Sequence, residues 1–343
     1  MKHLTIDPSA AIPPTRDYPS DAKLPESLPN ATETKLHPSN AGGENASLLF
    51  VGTATTILEW EGIRLMTDPN FLHAGDHVHL GPGVTGTRLT NPAVDLHELP
   101  RIDLICLSHY HADHFDDHVE ASLRRSLPII TTPHAKSHLT APHKTPEEAF
   151  TSVHDLDFYD DIMVDIANNK KEKKPAIKVT GMPGKHVPPG PGGMVGKLND
   201  LIAAVPPTNG WMIELGYHAS SSSDEDFKPG YRIYISGDTL LIPELSTIPE
   251  RYPHIDLLLI HLGGTTIPSP SMPLLMVTMD AEMGVKLVQL VKPDLVVPVH
   301  YDDYDVFLSP LSDFKKAMED AGLNEKVVYL DRKEEYRFKV REE

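Results

Sequence analysis

Apolar and polar positions begin to alternate at Ala46. The stretch ASLLFVGTATTILEWEGIRLMTDP predicts two antiparallel strands joined by a tight turn at Glu61-Gly62, with Asp68 closing the hairpin. Other runs are short and apolar almost throughout: IDLICL, IKVTGM, IDLLLI and PDLVVPV. Such runs predict strands buried on both faces. Helical spacing appears in DDHVEASLRRSL, HAKSHLTA, TMDAEMGVKLVQLV and SDFKKAMEDAGL. In the third of these, Thr278 is the expected cap, and Met279, Met283, Leu287 and Leu290 form a core stripe. WMIELGY and YRIYISGDT flank HASSSSDEDFKPG as a hairpin with an exposed tip, while PIITT and KVVYL add strands. Strands alternating with helices indicate an α/β protein. Residues 1–45, rich in Pro, Ser, Asn and Thr, predict an irregular arm.

Composition narrows the partners. Within 343 residues, 40% hydrophobic content is enough for a sizeable core, yet no apolar run is long enough to span a bilayer. The start, MKHLTIDPSAAIPPTRDYPS, lacks a signal-like apolar region, so a soluble, cytoplasmic protein is expected. The net charge of −18 opposes binding to nucleic acid or to anionic membranes, which leaves a small-molecule substrate as the expected partner, with self-association open. The basic run NNKKEKKP, 168–175, reads as a solvated loop. The lone cysteine, Cys106, lies in an apolar run and reads as core, so any metal must be held by histidine and carboxylate.

The chemistry gathers where strands end. His109, His111, Asp113 and His114 follow one apolar strand; His186, Asp238 and His300 follow three others. In an extended His-x-His, alternation sends both imidazoles to one side, and the Asp-His pair beyond them can turn toward a second centre. A single histidine among the 19 present carries little weight as a ligand. HxHxDH, GKH, SGDT and VPVH, in this order and each after a strand, point to a metal site. His118 belongs to the following helix, where Asp116 and Asp117 suit the N-terminal dipole.

This ordered set resembles the metallo-β-lactamase superfamily from about Ala46 to the C-terminus. The resemblance implies a four-layer αββα sandwich forming a single domain over 46–343, with a dinuclear metal site at one edge. It implies that His109, His111 and His186 hold the first metal, that Asp113, His114 and His300 hold the second, and that Asp238 bridges them. Asp68 would support the site from behind. Two zinc ions are the expected cofactors, with Mn or Fe compatible with the same ligands. Ions about 3.5–4 Å apart can share a hydroxide nucleophile at neutral pH, which Asp113 would orient. His261, ending a buried strand, is the expected additional catalytic residue lining the pocket, while Tyr110 and Tyr301 read as packing.

Asp238 stands where many dizinc β-lactamases carry Cys, and Thr239-Leu240-Leu241 lacks the Tyr that follows the bridging Asp in many quorum-signal lactonases. LSHYHADHFD, GPGVTGTRLTNP and DLLLIHLGGT are similar to the branch containing N-acylphosphatidylethanolamine phospholipase D and the ascorbate-lactone hydrolase UlaG. In overall layout the chain is also similar to fungal lactam hydrolases that open plant benzoxazolinones. The implied activity is opening of a small soluble lactam or lactone, with a phosphodiesterase and a non-catalytic metal-binding protein as alternatives. Loops 69–100 and 187–196 are the expected rims of the pocket.

Overall fold

The computed structural model describes every residue except 20, 39–41, 82–83, 141–143, 168–172, 189–198, 200–204, 219–225, 270–271 and 343. Most of the 187–196 rim, the first residues of the basic run and the tip of the acidic hairpin therefore lie outside the described residues. With strands numbered along the chain, one sheet runs β1 (Lys2–Ile6), β11 (Asp161–Ile166), β12 (Lys174–Met182), β13 (Gly210–His218), β14 (Phe227–Ile235), β15 (Leu257–His261), β18 (Leu295–Val299). The other runs β10 (Val153–Asp155), β9 (Ile129–Thr131), β8 (Leu104–Cys106), β5 (Ile63–Thr67), β4 (Thr55–Trp60), β3 (Ala46–Gly52), β19 (Glu335–Phe338), β2 (Thr34–Leu36). Two hairpins stand apart from the sheets, β6 (His77–His79) with β7 (Thr85–Thr87), and β16 (Thr266–Ser269) with β17 (Met272–Met276).

Side-chain alternation sorts the core into layers. Leu48, Phe50, Leu58, Trp60, Leu104 and Cys106 from one sheet meet Ile233, Leu257, Leu259 and Val297 from the other. Their sequence neighbours face outward: Leu49, Val51, Ile57 and Ile105 pack beneath α1 (Asp117–Ser122) and α2 (Pro133–Leu139), against Val119, Ala135 and Leu139. Tyr234, Leu258, Ile260 and Val296 instead pack beneath α3 (Ile248–Arg251), α4 (Ala281–Val291) and α5 (Leu311–Asp320), against Ile248, Leu287 and Phe314. Three apolar interfaces between four layers make the αββα sandwich, and explain why strands such as LLLIH are apolar on both faces. Cys106 is wholly buried in the central layer, and burial pushes its thiol far up, away from reactivity. None of the described helices is long and apolar enough to cross a membrane.

Several expectations are corrected. The arm is not wholly irregular: β1 adds to the outer edge of one sheet beside β11, and β2 adds to the other beside β19. The hairpin starting at Ala46 is three strands, because a first turn falls at Thr53, whose left-handed backbone (φ 52°) is held by its N–H donating to Asp303 Oδ2 at 2.7 Å. Thr278 does not cap α4. Hydrogen bonds from Val277 N to Thr265 O (2.9 Å) and Gly264 N to Met279 O (3.0 Å) keep 277–279 extended, and the Asp280 side chain caps by accepting from Met283 N at 2.9 Å. KVVYL makes only an isolated bridge, Val296 to Val327, and the last strand is β19.

One buried ionic network locks the loops below the ligand edge. The side chains of Arg88 and Asp303 are fully buried with Nη2 and Oδ1 3.8 Å apart. Arg88 donates from Nη1 to Asn70 Oδ1 at 3.0 Å and from Nε to Thr90 O at 3.0 Å, and lies over the Tyr304 ring; Asp303 also accepts from Arg332. Thr53, oriented by Asp303, accepts the His300 N–H at 2.7 Å. Asp303→Ala therefore leaves Arg88 buried without its counter-charge and is expected to cost about 3–5 kcal/mol. Urea unfolding should show a lowered midpoint with an unchanged slope.

Candidate metal centre

All candidate ligands lie at one edge of the sandwich, where strands from both sheets end. β5 leads into Asp68, β8 into the HYHADH turn, β12 into His186, β14 into Asp238 and β18 into His300. Two of these positions are conformationally costly: Asp68 has φ 33° and His300 φ 60°. Left-handed non-glycine residues cost about 1–3 kcal/mol each and persist only where surroundings impose them. Here the surroundings are hydrogen bonds, from His300 N to Thr53 O and from Asp68 N to Cys106 O. Gly237 sets Asp238 in another way. Its φ is +61°, and a Cβ there would lie 2.3 Å from the Asn209 carbonyl oxygen, so only glycine lets this turn pass so close to the segment entering β13.

The side chains form two adjoining groups, His109, His111 and His186, and Asp113, His114, Asp238 and His300, in each of which the ligand atoms lie within 4.8 Å of one another. All seven are buried except His111, which is partly exposed. Asp238 reaches both groups: its Oδ2 is 3.2 Å from His114 Nε2 and 3.9 Å from His186 Nε2. The Nε2 atoms of His114 and His300 face each other at 3.1 Å.

Four imidazoles are held by one nitrogen, leaving the other for the centre. His109 Nδ1 donates to Ser108 Oγ (2.9 Å), which donates to Asp68 Oδ2 (2.8 Å). His114 Nδ1 donates to Asp68 Oδ2 (3.1 Å), His300 Nδ1 to the Leu262 carbonyl (2.9 Å), and His186 Nδ1 to the Val277 carbonyl. This outer set of partners is what orients a ligating histidine. His111 differs, because its Nδ1 lies 2.7 Å from Asp113 Oδ1 without hydrogen-bond alignment.

Whether the residues suit a metal is tested by their unmet bonds. His109 Nε2, His111 Nε2, Asp113 Oδ1 and Asp238 Oδ1 are buried without a hydrogen-bond partner. A cluster of buried imidazole nitrogens and carboxylate oxygens left unpaired is expensive. The donor set, nitrogen and oxygen with no sulfur, fits zinc, manganese or iron.

Electrostatics divides the two groups. Burial pulls His109 well below its ordinary value and His186 to about 4. For His114 and His300, burial acts in the same direction but is outweighed by the Asp238 and Asp113 carboxylates, so both are raised. Burial pushes Asp113 and Asp238 up, yet the facing imidazoles hold both well below the usual carboxylate range.

His261 is placed differently from the expectation. It is buried (1% exposed) behind the ligands, with its Nε2 3.6 Å from Asp68 Oδ2 and its backbone N–H donating to Ser236 Oγ at 2.9 Å, and it does not line the cavity over the ligands. Asp68 accepts from Ser108 N (2.6 Å) as well as Ser108 Oγ and His114, the supporting position expected of it. Tyr301 donates to the Leu330 carbonyl, Tyr110 donates to Glu120 and stacks on His138, and His118 is exposed, so none of the three faces the ligands. Ser108 was not singled out from sequence, although its place directly before His109 is a local signal.

The narrow space above the ligands, about 10 Å³, is walled by Leu80, Val84, Val205 and Val277, with Thr265 and Thr278 between. It shares His186 and Val205 with a cavity of about 460 Å³ bordered by Phe158, Lys185, Pro206 and Ile242. A larger space of about 570 Å³, beside the start of α4, contains none of the ligands. His254, Asp256 and Asp294 also cluster, at the opposite ends of β15 and β18, but Asp256 is already held by Arg232 N (2.8 Å) and Arg341 Nη1 (2.9 Å).

The family described as "Beta-lactamase superfamily domain" matches residues 64–301. A protein described as a UPF0173 metal-dependent hydrolase, from Archaeoglobus fulgidus, is 27% identical over 261 residues, which is 76% of this chain and 91% of that protein. Among solved structures, the isothiocyanate hydrolase from Delia radicum gut bacteria superposes with a TM-score of 0.61 at 16% identity, covering 84% of this chain and 98% of that one. Igni18, a metallo hydrolase from Ignicoccus hospitalis, superposes with a TM-score of 0.56 at 20% identity, covering 86% of this chain and 99% of that one. At these identities the superpositions show a shared fold.

Two outcomes follow from the geometry. A histidine must shed its proton to bind metal, so acidification empties first the group containing His114 and His300, whose pKa values are raised. Calorimetric zinc titration of metal-free protein should show weaker binding at pH 5.5 than at pH 7.5. Gly237→Ala, which forces Asp238 away from Asn209, should lower metal content without changing the far-UV spectrum.

Proposed function

The chain belongs to the metallo-β-lactamase superfamily, and on that footing we propose that it is a metal-dependent hydrolase that uses two metal ions to open a small cyclic amide or ester. One observation carries the reading: two ligand groups adjoin, with the Asp238 carboxylate within reach of both. The similarity to the Archaeoglobus fulgidus protein, described as a metal-dependent hydrolase, supports it.

His109, His111 and His186 would hold one ion and Asp113, His114 and His300 the other, with Asp238 between them. When bound, the two ions supply a hydroxide nucleophile at neutral pH and polarise the bond under attack. The chain's own groups do the rest. Asp113 has one unpartnered oxygen, Oδ1, on the His111 side and its other oxygen 3.4 Å from His300 Nε2, so it holds the attacking water and takes up its proton. It then returns that proton to the departing nitrogen or oxygen. Asp68 fixes the tautomer of His114 directly and that of His109 through Ser108, while His261 backs Asp68 from the side away from the cavity.

The walls argue for the substrate. The cavity of about 460 Å³ that opens beside His186, bordered by Phe158, Val187, Pro206 and Ile242, suits a compact, largely apolar ring. A net charge of −18 opposes an anionic phosphodiester, which makes that reading second. Zinc is the expected metal, with manganese or iron as substitutes, and no nucleic acid or membrane partner is expected.

A panel of lactams, lactones, phosphodiesters and thioesters, run with metal-reconstituted protein, tests this. Lactams or lactones should be the best substrates, chelation should abolish turnover, and Asp113→Ala should lower kcat by about 10²–10⁴-fold. Equal activity in wild type and Asp113→Ala on the best substrate would overturn the mechanism.

A further inference from the structure

We propose that the cavity of about 570 Å³ beside the start of α4 binds a linear alkyl polyamine, whose ammonium groups meet its carboxylates and whose methylenes lie on its apolar wall. The proposal is independent of the hydrolase reading, since none of the candidate metal ligands lines this cavity.

The charge comes from two helices. Asp313, Lys316, Ala317 and Asp320 recur at i, i+3, i+4 and i+7 and so share one face of α5. Asp280, which caps α4, and Glu282, in its first turn, border the same space. The cavity thus carries four carboxylates, of Asp280, Glu282, Asp313 and Asp320, against the one ammonium of Lys316. Lys316 is held by Asp320 at 2.6 Å, and Glu282 reaches only Lys286, at 3.9 Å on the open surface. Among the described residues, the Asp313 carboxylate has neither a hydrogen bond nor an ion pair.

A second observation comes from the wall. Thr266 lines the cavity from β16, opposite Met276 in β17, and is only 4% exposed, yet its Oγ1 has no hydrogen-bond partner. Burying a hydroxyl without a partner is unfavourable, and valine would fill the same space without that cost. Extended backbone sends successive side chains to opposite faces, so Thr265 turns to the space above the candidate ligands and Thr266 to this cavity. Its hydroxyl is an acceptor left for an ammonium N–H seated there.

Charge and shape together select the ligand. No three of the carboxylates bring oxygens within 4.8 Å of one another, so they do not gather on a single metal ion. Charges spaced along a chain match them instead. Leu308, with Met276 and Ala317, provides apolar surface for the methylenes between those charges. The net charge of −18 draws cations to the whole surface, and the cavity adds the fixed contacts that distinguish one.

Isothermal titration of full-length protein with spermidine at low ionic strength tests this, with n-butylamine and Mg²⁺ as controls. Spermidine should bind one per chain, more tightly than either control, and added salt should weaken it. Glu282→Gln and Asp313→Asn should each weaken binding by about 2- to 5-fold, the effect of one exposed ion pair. Thr266→Val should weaken it by a similar factor, while its melting temperature holds or rises because an unpartnered hydroxyl has been removed. Glu319→Gln, which removes the same charge from α5 at a position outside the cavity, should change affinity far less.

Absence of saturable one-to-one binding overturns the proposal. So does a Glu319→Gln loss equal to those of Glu282→Gln and Asp313→Asn, which marks attraction to net charge alone, or Mg²⁺ binding as tightly as spermidine. Affinity unchanged in Thr266→Val, or in both carboxylate variants, places the amine outside this cavity and overturns it as well.

Discussion

Asp68 is a negative charge buried at the end of an inner strand, and the ligand edge is organised around it. Its carboxylate accepts from the backbone and hydroxyl of Ser108 and from His114 Nδ1, and His261 lies beside it. Burial alone would push its pKa up, but the two imidazoles outweigh that and keep it ionised. One carboxylate thus fixes the tautomers of histidines in both ligand groups, His114 directly and His109 through Ser108. It also ties the end of β5 to the turn after β8, so the sheet and the centre are registered by the same contact.

The backbone carries a matching constraint from the other side. His300 adopts a left-handed conformation because its N–H reaches Thr53, which is itself left-handed because its N–H reaches Asp303. Asp303 is buried against Arg88 and Arg332. A ligand, a strand turn and two arginines from distant parts of the chain are therefore one cooperative unit, in which the ionic network maintains strain at the centre.

Much of this was legible in the sequence, for identifiable reasons. Strands buried on both faces appear as apolar runs, so LICL, LLLIH and LVVPV were readable, and their ends marked His109 to His114, His261 and His300. What was not legible depends on partners far along the chain. β1 and β2 are short edge strands whose neighbours, β11 and β19, lie far along the chain. The turn at Thr53 has no glycine at its centre and is made by Asp303. Thr278 looked like a cap because a helix follows, but extended pairing with the 264–265 segment moved the cap to Asp280. His261 ends a strand as the ligands do, yet its side chain meets Asp68 and not the cavity.

The spacing of the candidate ligands has a consequence for how the chain would meet a metal during folding. His109, His111, Asp113 and His114 lie within a single turn of chain, whereas His186, Asp238 and His300 arrive from distant strands. An unfolded chain therefore keeps a partial chelate of its own. Metal bound there stabilises the unfolded state too, and lowers the net gain that loading gives to the fold. The selective part of that gain belongs to the three remote ligands, whose convergence requires both sheets to be assembled. The local motif is suited to capture, and the distant residues to retention.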